Sequence, residues 1–391
     1  MRILMLGISG IASKRPLDWL LQFGYTVWFI GESDLYEKET PINYRFIPSI
    51  LRKVKLKQNK SGDLSEAEIE DLRPTQIEQL HQIVREFKPN IIHAHGFCFE
   101  VECCAIADIH PFIFSVWGYL SLEETVQARL DRKLYPVLKA ADALIVESQA
   151  IVEKCQALVQ PCPKTELIPL GVDTQHFRPY NGENVDKARQ LLRIPQGAKV
   201  LLSPRVWYSY YRHQEILEAF AIAKPQFTHP TILLFILAIR GYSIEEIKSY
   251  YENFYKRAEE LKISKQIYYL PEMPHDKMPF VYSLSDAIIS LPKTDALAST
   301  LLEASACSKP IITVLHPSYK GTFIEEFCTL VKPNDTGDLT ANLAAAMVKI
   351  VNQPEAECSQ CLAASRQVVI EQYDETIMQR RLFQLYQELC K

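Results

Sequence analysis

From residue 3 to residue 331 the chain repeats one pattern, a short run of β-branched or aliphatic residues followed by a stretch whose apolar positions have helical spacing. Strands separated by helices pair in parallel through crossover connections, so this pattern points to α/β sheets and away from a sandwich or a helical bundle. The strand candidates form two series. The first comprises Ile3–Leu6, Thr26–Ile30, Tyr44–Ile47, Ile91–Ala94, Phe112–Val116, Ala143–Val146 and Leu167–Ile168. The second comprises Val200–Leu202, Ile232–Leu237, Ile267–Leu270, Ala287–Leu291, Ile311–Val314 and Leu330–Val331. Between them lies Ile168–Pro179, punctuated by Gly171 and two prolines, which reads as a connector. The expected organisation is a Rossmann-like domain over 1–172 and a second over 173–373, with a final segment, 374–391, returning to the first. Ligands of such sheets bind at the carboxyl ends of the strands, which places the expected chemistry in a cleft faced by both domains.

Composition narrows the function classes. The 391 residues are 48% hydrophobic and 23% charged, which suits a folded globular chain and excludes a disordered or fibrous one. A net charge of -4 gives no whole-chain drive toward nucleic acid. The longest apolar run, Ile232–Ile239, is far short of the roughly 20 residues that span a bilayer. Met1-Arg2 followed by Ile3–Ala12 has the outline of a weak secretory lead, but it fits better as a first strand and its turn. The ten cysteines include the adjacent pair Cys103-Cys104 and serve no small stapled scaffold, so reduced thiols and a cytoplasmic setting are expected. Cys358-x-x-Cys361 has no second pair to complete a zinc site.

The most informative segment runs from Leu291 to Pro310 and reads strand, loop, helix, strand. Asp295 falls in the loop and Glu303 about one turn into the helix, so both carboxylates lie at the end of the preceding strand. Backbone N–H groups at the helix start, Ser299, Thr300 and Leu301, suit a phosphate, and a carboxylate beside them suits sugar or ribose hydroxyls. Thr300-x-x-Glu303 also matches a helix capping box, and the spacing alone leaves both readings of Glu303 open.

This Asp295-x7-Glu303 element, with its small-residue helix and Lys309-Pro-Ile strand, resembles the retaining glycosyltransferases of family 4, which have the GT-B fold. The likeness extends to Ile168-Pro-Leu-Gly-Val-Asp-Thr-x-x-Phe177-x-Pro179, to Leu202-Ser-Pro-Arg205 ahead of Glu218-Ala-Phe220, and to Leu270–Pro279 with Tyr282-x-x-x-Asp286. It implies a metal-independent transferase that takes a UDP- or GDP-sugar. Asp295 would contact the donor sugar, Glu303 the ribose, and Arg205 the diphosphate. The family's following Lys is absent, and Arg212 is the substitute candidate. His275, Tyr282 and Asp286 would pack on the nucleobase side. Asp stands where the family has Glu, and Ser308 where it commonly has Gly. No D-x-D pair occurs to hold a metal against a diphosphate, so neutralisation falls to Arg205, Arg212 and helix N–H groups.

The first half matches less sharply and is expected to bind the acceptor, a saccharide, a lipid-linked sugar or a small molecule. Asn90-Ile-Ile-His-Ala-His95-Gly96 resembles the family's fourth strand, with His93 and His95 on one side. Trp117 ends the next strand where many members carry a histidine, so any acid–base contribution would come from His95. Gly7 and Gly10 match the loop after the first strand, where backbone approaches ligand. Arg52–Lys60 carries five cations in nine residues, a solvated loop or a contact with anionic lipid at the inner face of a membrane.

Rival readings remain. Gly7-x-x-Gly10-x-x-Ser13, Glu32 and Tyr135-x-x-x-Lys139 imitate a nicotinamide-dependent reductase or epimerase, but the third glycine is missing and the second α/β series goes unexplained. A GT-B epimerase or hydrolase, or a non-catalytic nucleotide-sugar binder, would share the same donor residues.

Overall fold

Two parallel sheets organise the chain, as the alternation requires. The computed structural model describes residues 1–7, 11–36, 40–57, 64–118, 133–180, 182–238, 244–333 and 338–391. These divide into two units, one made of Met1–Leu170 with Thr376–Lys391 and the other of Gly171–Glu375.

Unit 1 runs β1 (Arg2–Gly7), α1 (Ile11–Gln22), β2 (Thr26–Gly31), β3 (Tyr44–Pro48), α2 (Ile50–Lys57), α3 (Glu66–Phe87), β4 (Ile91–His95), α4 (Phe99–Ile106) and β5 (Phe112–Ser115). It continues with α5 (133–140), β6 (Ala143–Val146), α6 (Gln149–Leu158) and β7 (Lys164–Leu167). The sheet order is β3-β2-β1-β4-β5-β6-β7, with every pairing parallel. Central strands are apolar on both faces because helices cover both. Hence Ile91–His95 is buried throughout, whereas the edge strand Lys-Thr-Glu-Leu is exposed at its first residue and only half-buried after it. That polar edge explains why the apolar signal at Leu167–Ile168 caught only the last residue of β7 and missed its first three.

Unit 2 runs α7 (Glu183–Leu191), β8 (Lys199–Ser203), α8 (His213–Ala223), β9 (Thr231–Leu237), α9 (Ile244–Glu260), β10 (Ile267–Pro271), α10 (Met278–Leu284) and β11 (Ala287–Ser290). There follow α11 (Ser299–Ala306), β12 (Ile311–Val314), α12 (Phe323–Phe327), β13 (Thr329–Val331), α13 (Thr340–Asn352) and α14 (Glu355–Tyr373). Its sheet order is β10-β9-β8-β11-β12-β13, again parallel.

The last helix, α15 (Glu375–Leu389), packs into unit 1: Met378, Leu382, Phe383, Leu385 and Tyr386 bury their side chains with Ile3, Met5, Ile91 and Ile113. Residues 171 and 172 belong to unit 2, two positions before the expected boundary. The Val172 N–H donates to the Tyr373 carbonyl at 2.9 Å, and the Glu375 N–H to the Val172 carbonyl at 3.0 Å.

In the basic segment, Arg52 and Lys55 face the protein: Arg52 lies over the Phe46 ring at 5.2 Å and Lys55 pairs with Glu32 at 3.4 Å. Residues 58–60 lie outside the described residues. Among the described residues no helix is long and apolar enough to cross a membrane.

Candidate active site

In unit 2 the chain leaves the carboxyl ends of β8 and β11 into two segments that meet. Arg205, just past β8, extends Nη1 to donate to Thr300 Oγ1 at 3.2 Å, in the first turn of α11. Its Nη2 lies 3.8 Å from Asp295 Oδ2, and its guanidinium stacks on the Tyr211 ring at 4.2 Å. A planar cation held by an aromatic face and a hydroxyl is fixed in orientation, as recognition of a phosphate requires. Burial pushes the Asp295 carboxyl above its usual range, although Arg205, the Tyr319 hydroxyl at 3.1 Å and the Ala296 N–H at 2.9 Å pull it down. The Tyr210 hydroxyl donates to the Thr294 carbonyl, and the Lys293 N–H donates to the Tyr210 carbonyl at 3.0 Å, which ties the two segments together.

The capping reading of Glu303 does not hold. The N-cap of α11 is Ala298, with no side-chain capping bond, so Thr300 already lies inside the helix. A true capping box of this pattern stands elsewhere, at Ser65-x-x-Glu68 before α3, where both reciprocal bonds form. The Glu303 carboxylate instead accepts from the Tyr282 hydroxyl at 2.9 Å and faces His275 Nε2 at 2.8 Å. Tyr282 and His275 therefore brace Glu303, a tie between α10, its preceding turn and α11 that no spacing rule revealed. Asp286 departs from its expected place. It lies at the amino end of β11, where it accepts from the Val200 N–H at 2.8 Å and pairs with Lys199 at 3.1 Å, which staples strand starts away from the ligand end.

The first N–H groups of α11, Ser299 and Thr300, have no carbonyl within the helix to meet. The third expected donor, Leu301, is spent on the Ala298 carbonyl at 3.0 Å. Arg212 adopts a left-handed φ of 55° at the start of α8, and its buried Nε has no partner among the described residues.

In unit 1 the two histidines of β4 separate in role. His93 is satisfied, with Nδ1 2.6 Å from the Tyr386 hydroxyl and Nε2 2.8 Å from Ser115 Oγ. His95 is 1% exposed, and neither ring nitrogen has a partner among the described residues. Its ring lies parallel to that of Trp117 at 6.1 Å, and the Trp117 Nε1 likewise lacks a partner among the described residues. Burial lowers the His95 pKa to about 3, so it suits a hydrogen-bond contact rather than the acid–base role expected of it. A side chain at Gly7 would bring its Cβ within 2.6 Å of the His95 carbonyl oxygen, so the neighbouring strand by itself requires this glycine. Gly10 lies outside the described residues. Tyr135 and Lys139, the imitated reductase pair, are both exposed on α5.

The model of Glycosyltransferase Family 4 matches residues 41–176, and that of Glycosyl transferases group 1 matches residues 184–359. The chain belongs to the family 4/group 1 glycosyltransferases. Of its curated relatives, D-inositol 3-phosphate glycosyltransferase 1 of Catenulispora acidiphila is 27% identical over 181 residues, which is 45% of this chain and 41% of the relative. The chain thus matches less than half the length of that relative. Among solved structures, sucrose-phosphate synthase of Thermosynechococcus elongatus superposes with a TM-score of 0.77 at 17% identity, covering 100% of this chain and 99% of the other. HepE of Anabaena, solved with UDP and glucose, gives 0.72 at 15% identity, with 100% of both chains covered. These likenesses establish the GT-B fold for this chain, with a Rossmann-like sheet in each unit.

Proposed function

We propose that this protein transfers a glycosyl group from a UDP- or GDP-sugar to a hydroxyl of an acceptor, with retention of anomeric configuration and without a divalent ion. The observation that carries the reading is the cluster of Arg205, Thr300 and Asp295 at the carboxyl ends of β8 and β11. One fixed cation sits beside the helix N–H groups there, with a buried carboxylate within reach. The guanidinium, with the N–H groups of Ser299 and Thr300, would take the diphosphate, Glu303 the ribose and Asp295 the sugar. Arg212, whose Nε is unpartnered among the described residues, is the second candidate for the diphosphate. The relative that acts on an inositol phosphate and the HepE complex with UDP and glucose support a phosphorylated nucleotide donor and a hydroxyl-rich acceptor. His95 and Trp117, with unpartnered polar atoms among the described residues, suit hydrogen bonding to that acceptor.

In the reaction the bond from the anomeric carbon to the diphosphate oxygen breaks, and its electron pair leaves on the diphosphate. The acceptor oxygen forms the new bond on the same face, and its proton passes to the leaving phosphate oxygen. Arg205 stabilises the charge that develops there.

The test is a panel of UDP- and GDP-sugars incubated with the protein and saccharide, polyol-phosphate and lipid-linked acceptors, with and without EDTA. The anomeric configuration of the product is read by NMR. Release of nucleoside diphosphate with an α-linked product from an α-linked donor is expected, undiminished by EDTA. Absence of both turnover and nucleoside diphosphate binding would overturn the reading.

A further inference from the structure

We infer that Tyr319 is a positioning residue for the reaction, the group that aims the Asp295 carboxylate and holds it in place beside Arg205. The inference rests on the reading of Asp295 as the donor-sugar contact and names what that reading lacks, a reason for the carboxylate to stay where it is needed.

Asp295 belongs to the irregular segment between β11 and α11, where no regular backbone fixes a side-chain direction. Among the described residues, one carboxylate oxygen accepts its neighbour's N–H, from Ala296 at 2.9 Å, a bond that travels with the loop. The other lies 3.8 Å from the Arg205 nitrogen, a separation at which charge attracts but no hydrogen bond sets an angle. Tyr319 supplies the directional bond, its hydroxyl donating to Oδ2 at 3.1 Å. The ring is buried, and the backbone that carries it is pinned on both sides. Tyr319 is 1% exposed, its N–H donates to the His316 carbonyl at 3.0 Å, and its own carbonyl accepts from Thr322 Oγ1 at 2.7 Å. A buried phenol reaching over from the turn after β12 thus orients an acid on the loop after β11.

Among the described residues, the groups facing Asp295 are Arg205 from the segment after β8, Tyr210 from the turn ahead of α8, and Tyr319 itself, while Tyr211 packs on Arg205. Of these, Arg205 is the cation and Tyr319 the donor. Burial already disfavours the ionised carboxylate, so loss of the phenol O–H moves its protonation further toward neutral pH. Nothing in the run Leu315-His-Pro-Ser-Tyr319 marks the tyrosine by spacing, because its function depends on a neighbouring loop and not on its own element.

The experiment compares Tyr319→Phe with the wild type and with Asp295→Asn. It measures nucleoside diphosphate affinity by calorimetry, kcat and KM for transfer across pH, and the Asp295 carboxyl titration by NMR on aspartate-labelled protein. For Tyr319→Phe, nucleoside diphosphate affinity should stay within about twofold of wild type. Its kcat should fall about tenfold to a hundredfold, as expected for loss of a charge-assisted bond. The Asp295 titration and the acid limb of kcat should both move up by about one pH unit or more. Site-specific 3-fluorotyrosine at 319 keeps the bond and should retain kcat within about twofold, which separates lost positioning from lost folding. An unmoved Asp295 titration, or full turnover in Tyr319→Phe alongside an impaired Asp295→Asn, overturns the inference alone. Full turnover in Asp295→Asn removes the role of Asp295 and the inference with it.

Discussion

The Tyr282 hydroxyl donates to Glu303 Oε2 at 2.9 Å, and this bond joins the middle of α10 to the second turn of α11. Glu303 is 6% exposed, and a carboxylate so placed is stable only while its oxygens are met. His275 Nε2, 2.8 Å from Oε1, provides the second contact from the turn before α10.

Glu303→Gln keeps one acceptor for Tyr282 and offers its amide to His275, so the fold should lose at most about 1 kcal/mol. A charge-assisted bond to ribose would be weakened, and nucleoside diphosphate affinity should fall about tenfold or more. Calorimetric titration alongside melting checks both halves. Wild-type affinity in a variant that merely melts earlier would make Glu303 a structural residue.

Arg205→Ala removes the cation and leaves Asp295 buried with Tyr319 and Ala296 as its donors. Donor affinity should fall about tenfold to a hundredfold. Arg205→Lys keeps charge but loses the planar fork that meets Thr300 and the Tyr211 face, so it should recover only part of the loss. Unchanged affinity for every nucleoside diphosphate that the wild type binds would reject the assignment.

Stability should fall steeply as the solution is acidified. Burial lowers His95 and His213 to about 3 and holds His93 well below 6.5. The unfolded chain takes up protons at these positions below about pH 6.5 while the folded chain refuses them. Stability is therefore full above that pH and drains away as the pH drops toward 3. The slope is about 1.4 kcal/mol per pH unit for each histidine, roughly 2 kcal/mol each by pH 5. Melting temperature against pH should show this, and His213→Phe, which keeps a ring on Trp207, should flatten the fall. A level profile from pH 7 to pH 5 would contradict burial of these rings.

Ser308 ends α11 with a left-handed φ of 55°. Its N–H donates to the Ser305 carbonyl at 2.8 Å, and the next N–H, of Lys309, to the Ala304 carbonyl at 3.0 Å, the paired bonds of a Schellman motif. Glycine adopts this conformation without strain, while it gives up more freedom on folding. Ser308→Gly should therefore stabilise unit 2 by a net of about 0.5–1 kcal/mol in denaturant unfolding and leave turnover unchanged, so the serine is a departure in stability rather than in chemistry.

Sequence alone determined the two α/β series, all but one of their strands and the loop-helix element that carries Asp295 and Glu303. Each follows from local facts, the apolar runs of buried parallel strands and the residues that flank them. Of the edge strand β7 only Leu167 was legible, because Lys164, Thr165 and Glu166 are polar and partly exposed, so hydrogen bonding to β6 makes it a strand where apolar content does not. Only tertiary structure decided what the site residues touch. Thr300-x-x-Glu303 and Ser65-x-x-Glu68 share a pattern, yet one is a helix interior and the other a cap, because helix entry is set by the loop packed before it. His93 and His95 look equivalent on one strand face, and they part because Tyr386, nearly three hundred residues on, reaches the first and not the second. A side chain's partners come from whatever segment the fold brings beside it, and neither spacing nor propensity encodes which segment that will be.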